Sequence, residues 1–288
     1  MLTGTTVVGN VMTQNEDCVE VKVVETLAIN PSVLIERDGM IGWVVLNRPG
    51  QLNAINDEIR NGVPLALAQL DADPAIRVIV FRGEGKRGFC AGADIKEKRA
   101  PETAIEVRQR IEKKRWIESL DKISKPIIAA VHGYCMGGGI ELSLACDIRF
   151  AAPDVVFSVP ETGLGLIPGG GGTQRLSRVI GPGRALDMLL TGDRIDAIQA
   201  KNIGLVTRVS STSESLLEEV RELALKIASK SPAATVYVKR AARDALDLEL
   251  KVGLDLELNL FALLAPTMDV KEAALAFSEK RTPVFTGQ

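Results

Sequence analysis

The amino-acid sequence predicts an α/β core followed by an all-helical region. In the first two thirds of the 288 residues, short apolar segments typical of buried strands alternate with amphipathic segments typical of helices. This alternation favours a sheet whose strands are joined by right-handed crossovers. From about residue 212, apolar residues recur only at helical spacing. The predicted units are an N-terminal extension (1–31), an α/β core (32–211) and a helical C-terminal module (212–288).

The elements of the core can be assigned in order. Segments 32–36 and 40–46 alternate apolar and polar residues around Arg37-Asp38-Gly39, which is a hairpin signal. A helix is predicted over 56–70, and Pro64 is expected to kink or shorten it. The remaining predicted elements are a strand at 78–81, a glycine-bearing loop at 83–93, a charged helix at 102–120, a strand at 126–131, a helix from about 138 to 146, and short strands at 148–151 and 155–158.

The C-terminal module is predicted to contain four helices, at 215–227, 233–246, 251–264 and 270–280. Two capping pairs are expected in this module, Ser215 with Glu218 and Asp269 with Glu272. The helices carry more apolar residues than one face can bury, for example Leu258, Phe261 and Leu264. This excess predicts a subunit interface.

Composition bounds the possible functions. A formal charge of −2 argues against a protein dominated by nucleic-acid or anionic-membrane binding, and no apolar run approaches the ~18–20 residues of a membrane span. The first thirty residues hold one basic residue, Lys22, among four acidic ones, which is the wrong balance for a targeting peptide. The four cysteines, Cys18, Cys90, Cys135 and Cys146, show no metal or disulfide spacing. A cytoplasmic protein without a bound metal is therefore expected.

Two glutamates in glycine- or proline-marked turns offer acid–base chemistry. Glu141 follows Gly137-Gly138-Gly139 at a predicted helix start, and Glu161 follows Pro160. Glycine allows close approach of a ligand, and the first N–H groups of a helix lack internal partners, so they suit a developing oxyanion. Each feature also has an ordinary interpretation: a tight turn, a helix-stabilising acid and a solvated loop charge. The only histidine, His132, is expected to be a packed or supporting residue and not a catalytic one.

Two other motifs point to weaker hypotheses. The glycine run at 168–173 lacks the spacing and the lysine of a P-loop. The basic residues within 108–115, beside Trp116, could contact RNA, but the intervening glutamates favour a solvated helix face.

Taken together, the motifs resemble the crotonase superfamily, and within it most closely the enoyl-CoA hydratases. The ordered segments that carry the resemblance cover roughly residues 32–285. They are LNRP at 46–49 with LNA at 52–54, GFCAGADIKE at 88–97, VHGYCMGGGIEL at 131–142, PE at 160–161 with GLIPGGGGTQRL at 165–176, and FSEKR at 277–281.

The resemblance implies a spiral of ββα units with a helical C-terminal region, assembled as a homotrimer or homohexamer. It implies that the N–H groups of Ala93 and Gly138 form an oxyanion hole and that Glu141 and Glu161 are the catalytic pair. The residues implied to line the coenzyme A site are Ala91, Gly92, Ala93, Asp94, Ile95, Lys96 and Gly138, with the Ala91 carbonyl near the adenine.

The chain departs from the family pattern at Gly50, where a basic residue often follows the Arg-Pro pair. One phosphate or ribose contact is therefore either missing or expected from Lys96, Lys98 or Arg99. The N-terminal extension also falls outside the pattern.

The implied activity is hydration of an enoyl-CoA thioester in β-oxidation-type fatty acid metabolism, with coenzyme A only as part of the substrate and with no nucleic acid or membrane partner. Alternatives are isomerisation of the double bond or dehydration of a specialised hydroxyacyl-CoA, and, from a different class, an RNA-associated protein of the same fold. Isomerases of the superfamily commonly use one carboxylate, so the presence of both Glu141 and Glu161 favours hydration.

Overall fold

The computed structural model describes residues 25–97 and 100–288 and confirms the α/β class. Ten strands are present in these residues: β1 (Glu25–Asn30), β2 (Val33–Asp38), β3 (Ile41–Leu46), β4 (Val78–Gly83), β5 (Ile127–Val131), β6 (Tyr134–Met136), β7 (Ile148–Ala151), β8 (Val156–Ser158), β9 (Ile195–Asp196) and β10 (Arg208–Val209). The ten α-helices of the described residues are α1 (Asp57–Ala72), α2 (Ala104–Lys114), α3 (Gly138–Ala145), α4 (Gly172–Ile180), α5 (Pro182–Thr191), α6 (Ala197–Asn202), α7 (Leu216–Ala228), α8 (Pro232–Asp244), α9 (Leu250–Leu264) and α10 (Met268–Ser278).

The main sheet has seven strands in the order β1-β2-β3-β4-β5-β7-β10. Its first three strands are antiparallel, and the predicted hairpin joins β2 to β3 through Gly39, whose φ is +58°. From β3 onward all neighbours are parallel, as helical crossovers require. Strand β1 lies within the predicted N-terminal extension, so the described part of the sheet already begins at Glu25 and not near residue 32. Residues 1–24 of that extension lie outside the described residues.

A second, three-stranded sheet has the order β6-β8-β9. Strand β6 runs parallel to β8, and Tyr134, Cys135 and Met136 pair with Val156, Phe157 and Ser158. Helix α3 starts two residues after β6, and Glu161 lies three residues after β8. The pairing of these two strands therefore brings the two glutamate-bearing turns side by side.

Alternation along the central strands supplies two apolar layers. On one face Ile79 and Phe81 pack with residues of α1 such as Leu67. On the other face Val78 and Val80 pack with α7, whose buried residues are Leu216, Val220, Ala224 and Ala228. The predicted helical module therefore begins with a helix that belongs to the core of the sheet. Pro64 lies inside α1 without dividing it, and the Asn56 side chain caps the helix by accepting from Ile59 N–H.

The charged helix predicted over 102–120 ends earlier than expected. Helix α2 stops at Lys114, Arg115 has a positive φ of +24°, and a 3₁₀ helix follows at Ile117–Lys122. Thr103 and Glu106 form a reciprocal capping box at the start of α2.

The four helices predicted for the C-terminal module are confirmed, but neither predicted capping pair forms. Ser215 Oγ donates to Glu219 and makes no cap contact, and Asp269 accepts from the N–H groups of Thr286 and Gly287. Helix α9 exposes apolar side chains along its length, among them Leu250, Leu254, Leu258, Phe261 and Leu263. Within the described ranges, no helix is both long enough and apolar enough to cross a membrane.

Candidate active site

Three turns converge beside the second sheet. Cys90 pairs with Cys135 in an isolated parallel bridge, and Ile55 pairs with Ala93 in another. A Cβ built on Gly138 would lie 3.8 Å from the Ala93 nitrogen. The bridges thus bring the loop at 88–97 against the start of α3, and the two predicted oxyanion donors, Ala93 and Gly138, lie next to each other.

The N–H groups of Ala93 and Gly138 are available to a ligand. In the bridge between Ile55 and Ala93, the bonds run from Ile55 N–H to Gly92 O and from Asp94 N–H to Ile55 O, which leaves the Ala93 donor out. Gly138 is the first residue of α3, where a helical N–H has no internal acceptor. Among the residues that the structure describes, neither group donates a hydrogen bond to the protein. Two adjacent free donors at a helix start can stabilise a developing oxyanion.

Position 137 requires glycine for two reasons, its backbone conformation and its contact with the Glu161 side chain. Its φ of +49° and ψ of −117° are unfavourable for residues with a Cβ. A Cβ at this position would also lie 2.6 Å from Glu161 Oε1. The Glu161 carboxylate therefore rests on the Gly137 backbone, one residue before the Gly138 donor.

The Glu141 side chain is buried and held by a pair of backbone donors. It is 5% exposed, and its Oε1 accepts the N–H groups of Gly170 at 2.7 Å and Gly172 at 2.9 Å. Gly172 opens α4, so one of these donors comes from the positive end of a helix. A Cβ on Gly170 would lie 2.8 Å from Glu141 Oε2, so a larger residue would displace the carboxylate.

The Glu161 side chain is bound less completely. It lies on a 3₁₀ helix at Glu161–Leu164, and its Oε2 is buried with no hydrogen-bond partner among the described residues. A buried acceptor without a partner is rare in folded proteins and marks a position where a ligand or water is expected. Both glutamates that the sequence singled out are therefore present at the site, with different surroundings.

Both carboxyl groups are harder to ionise than exposed glutamates. Burial raises the pKa of Glu141. The hydrogen bonds from Gly172 and Gly170 lower this pKa, the negative charge of Glu118 raises it, and the positive charge of Arg175 lowers it. Burial also raises the pKa of Glu161, and the negative charge of Glu141 raises it further. Carboxyl groups with raised pKa values are suited to trading protons near neutral pH.

The residues predicted to meet coenzyme A form the rim beside the oxyanion donors. Gly92 is buried, whereas Ile95 and Lys96 are exposed, and Lys96 N–H donates to Asp94 Oδ1 at 3.1 Å. Asp94 pairs with Arg48 at 2.9 Å. Lys98 and Arg99, the other predicted phosphate contacts, lie outside the described residues. The side position of Gly50 is open, with no atom within 4 Å.

His132 and part of the basic run at 108–115 make contacts with other groups of the protein. His132 Nε2 contacts the carbonyl oxygen of Gly85 at 2.8 Å, and burial lowers its pKa, as a packed histidine requires. In the basic run at 108–115, Lys114 pairs with Asp57 at 2.6 Å and Arg110 with Glu102 at 2.9 Å. Acidic partners therefore neutralise part of the surface that the RNA hypothesis needs.

The sequence did not identify the residues that hold Glu141. In the sequence, Gly170 and Gly172 belong to a glycine run that is unsuited to binding phosphate and to the resembling segment at 165–176, and Arg175 belongs to that segment alone. Their roles depend on a contact across 29 and 31 positions. The single local signal was the density of glycines at 169–172, which indicates a close approach of some group without saying which.

Comparisons with known proteins place this chain in a family. A family model described as enoyl-CoA hydratase/isomerase matches residues 36–288. The chain is 37% identical to the short-chain-enoyl-CoA hydratase of Clostridium acetobutylicum, over 87% of this chain and 95% of that protein. It is 38% identical to the crotonyl-CoA hydratase of Syntrophomonas wolfei, over 88% and 97% respectively.

A solved structure supports the same assignment. The enoyl-CoA hydratase of Bacillus anthracis superposes with a TM-score of 0.85 at 38% identity, covering 89% of this chain and all of the other. The fold and the site thus define an enzyme with the crotonase fold. The chain belongs to the enoyl-CoA hydratase/isomerase family and is most like its hydratases.

Proposed function

We propose that the protein catalyses the reversible syn addition of water across the 2,3-double bond of an enoyl-CoA thioester. The observation that carries the proposal is that a buried carboxylate, Glu141, and a half-buried one, Glu161, lie beside two N–H groups that donate to no acceptor among the described residues. Glu161, whose Oε2 has no hydrogen-bond partner in the described part of the chain, rests on Gly137, and the Gly138 donor follows directly. The names of the relatives, which include short-chain-enoyl-CoA and crotonyl-CoA hydratases, support the same reaction.

The two N–H groups stabilise charge on the thioester oxygen. As water adds to C3, electron density moves through C2 to the carbonyl and gives it enolate character. Donation from Ala93 and Gly138 N–H strengthens as that charge develops, and losing one such donor typically costs roughly 3–4 kcal/mol of barrier. Because the donors belong to the backbone, side-chain substitutions elsewhere in the site leave them in place.

The two glutamates divide the proton transfers. Glu141, held by Gly170 and Gly172 N–H, orients the water and accepts its proton as the oxygen bonds to C3. Glu161 enters the reaction protonated and gives its proton to C2. The proton gained by Glu141 and the one lost by Glu161 balance, so exchange with solvent or between the two groups restores the starting state. These proton transfers balance without a further group, and we propose no cofactor. Coenzyme A enters only as part of the substrate.

Assembly is proposed from the exposed helices. Leu250, Leu254, Leu258 and Phe261 leave an apolar surface on α9 that solvent does not favour. We propose that it is covered in a homotrimer or homohexamer, in the cytoplasm. Light scattering at micromolar concentration should give three or six subunit masses, and a monomer mass would contradict the assembly.

The reaction is tested by turnover of a panel of short, long, branched and cyclic enoyl-CoA thioesters. We expect loss of the conjugated enoyl thioester absorbance and formation of a 3-hydroxyacyl-CoA. A gain of that absorbance from 3-enoyl-CoA, without hydration of any 2-enoyl-CoA, would favour isomerisation. No turnover of any thioester, together with salt-sensitive retention of RNA, would favour the non-enzymatic alternative.

A further inference from the structure

Arg243, on α8 of the C-terminal module, contacts the end of the helix that carries Glu141. Its Nη2 donates to Ala145 O at 2.6 Å, at the C-terminus of α3. Its Nε donates to Asp147 Oδ1 at 2.8 Å, just beyond that helix. A cation that caps the last carbonyl groups of a helix stabilises that end and fixes its direction.

The same guanidinium reaches the helix that binds the Glu141 carboxylate. Arg243 Nη1 donates to Asp121 Oδ1 at 3.2 Å, and Asp121 accepts two bonds from Arg175, at 3.0 and 2.6 Å. Arg175 lies in the first turn of α4, and a Cβ on Gly171 would be 3.1 Å from its Nε. This series of contacts therefore links Arg243 to the loop whose Gly170 and Gly172 N–H groups hold Glu141.

These polar contacts border a groove of about 950 Å³. It is lined by residues of α4, α7 and α8, and Asp121, Asp147, Arg175 and Arg243 all lie on its wall. Ion pairs join α8 to these walls: Arg243 pairs with Asp147 and Asp121, and Lys239 pairs with Asp147 at 3.0 Å. Of these two cations, Arg243 is the one that also reaches Asp121, the partner of Arg175.

We propose that Arg243 is a positioning residue for Glu141, which fixes both the helix that carries this carboxylate and the loop that binds it. The inference rests on the proposed catalytic role of Glu141. Within the described residues, Arg243 itself makes no hydrogen bond or ion pair with Glu141, Ala93 or Gly138. Its action is geometric, and a displacement of the carboxylate by a fraction of an ångström to one ångström is enough to slow proton transfer.

The test compares Arg243→Met with Arg240→Met, a matched control on the same helix. Arg240 is exposed, and its single ion pair with a described residue is a 3.7 Å contact with Asp244. We expect Arg243→Met to lower kcat about 10-fold with KM changed by less than about 2-fold, since only the transition state needs the exact carboxylate position. Arg243→Lys keeps the charge and should recover part of kcat. Asp121→Asn, which breaks only the link to α4, should lower kcat less.

Hydrogen–deuterium exchange gives a readout that does not depend on the reaction. The peptide spanning 168–176 contains the Gly170 and Gly172 amides, and its exchange should accelerate in Arg243→Met and not in Arg240→Met. If wild type hydrates no thioester, the proposed function fails, and this exchange comparison still decides whether Arg243 orders the loop. Unchanged exchange in Arg243→Met, a loss that lies only in KM, or equal losses in both variants would overturn the positioning role.

Discussion

The surroundings of the two glutamates differ: the side chain of Glu141 is buried, and that of Glu161 is half-buried. Glu141 lies in a regular helix, and two backbone N–H groups bind one of its oxygens. Glu161 lies in a 3₁₀ turn against Gly137, and one of its oxygens is buried with no partner within residues 25–97 and 100–288. One carboxylate is fixed by the protein, and the other is incompletely satisfied by it.

This difference indicates how the protein divides acid–base work. A buried acceptor left unsatisfied costs about 1–3 kcal/mol, so the fold retains Glu161 at a free-energy cost that a bound ligand can offset. Glu141 has its hydrogen bonds made in advance and needs no partner to stay in place. The fixed group is suited to orienting a water molecule, and the unsatisfied group is suited to meeting the substrate.

The largest expected effect comes from removing either carboxylate. Glu141→Gln and Glu161→Gln should each lower kcat by about 10²-fold or more, as expected for loss of a general acid or base. The double variant should be far less than multiplicatively worse, because groups that act as a unit are non-additive. Steady-state hydration of the best enoyl-CoA measures all three.

Thioester binding is the control for these variants. It should survive in each, because the donors of Ala93 and Gly138 belong to the backbone. Near-normal activity of Glu141→Gln beside an inactive Glu161→Gln would instead favour a one-carboxylate isomerisation. If neither change mattered on any enoyl-CoA, the catalytic assignment would be wrong.

Gly137→Ala tests the contact between the Glu161 carboxylate and the Gly137 backbone. A Cβ there would lie 2.6 Å from Glu161 Oε1 at a backbone φ of +49°, so both the carboxylate and the turn must shift. We expect kcat to fall by about 10- to 100-fold from misplacement of the acid. Gly165→Ala is the matched control, because its φ is also positive, at +72°, and a Cβ there meets no atom within 4 Å. Equal activity of the two variants would contradict the role of the Gly137 contact.

A smaller effect is expected at the loop that holds Glu141. A Cβ on Gly170 would lie 2.8 Å from Glu141 Oε2 and 2.6 Å from Ile117 Cδ1, and the tip of Ile117 can move aside. Gly170→Ala should therefore lower kcat about 5- to 10-fold. The neighbouring Gly169→Ala meets no atom within 4 Å and should stay near wild type. A loss in Gly169→Ala as large as in Gly170→Ala would point to loop stiffness instead of the carboxylate contact.

The smallest effect concerns the charge that one glutamate exerts on the other. The pKa of Glu161 is raised first by burial and then by the negative charge of Glu141, while its own backbone N–H lowers it. Glu141→Gln removes that charge, so the pKa of Glu161 should fall while remaining above the value of an exposed glutamate. The ¹³C carboxyl resonance that disappears in Glu161→Gln reports this pKa. An unchanged or higher value would mean that the two groups do not interact.

The same two regions show what the sequence could predict. Local patterns located the strands at 78–81 and 126–131, the glycine turn before α3 and both glutamates, because strand hydrophobicity and turn glycines are local signals. They did not show that Gly170 and Gly172 bind Glu141, since that contact joins distant segments. They also assigned no helix over 172–202, where α4, α5 and α6 lie.

The capping predictions failed for a related reason. Asp269 and Glu272 have the spacing of a capping pair, but Asp269 binds the N–H groups of the returning C-terminal segment and Glu272 pairs with Arg281. A carboxylate takes the strongest donors within reach, and tertiary structure decides which those are. The helices of the C-terminal module were therefore predictable, and their capping was not.

The central claim is that Glu161 exchanges protons at C2 while Glu141 orients and deprotonates the water. Exchange of the C2 protons of a saturated acyl-CoA in D₂O tests this claim most directly. This exchange needs the oxyanion donors and the acid–base group at C2, and no addition of water to the acyl chain. NMR should show that Glu141→Gln retains C2 exchange while losing hydration, and that Glu161→Gln loses both. Loss of exchange in Glu141→Gln with retention in Glu161→Gln would reverse the two roles and contradict the account.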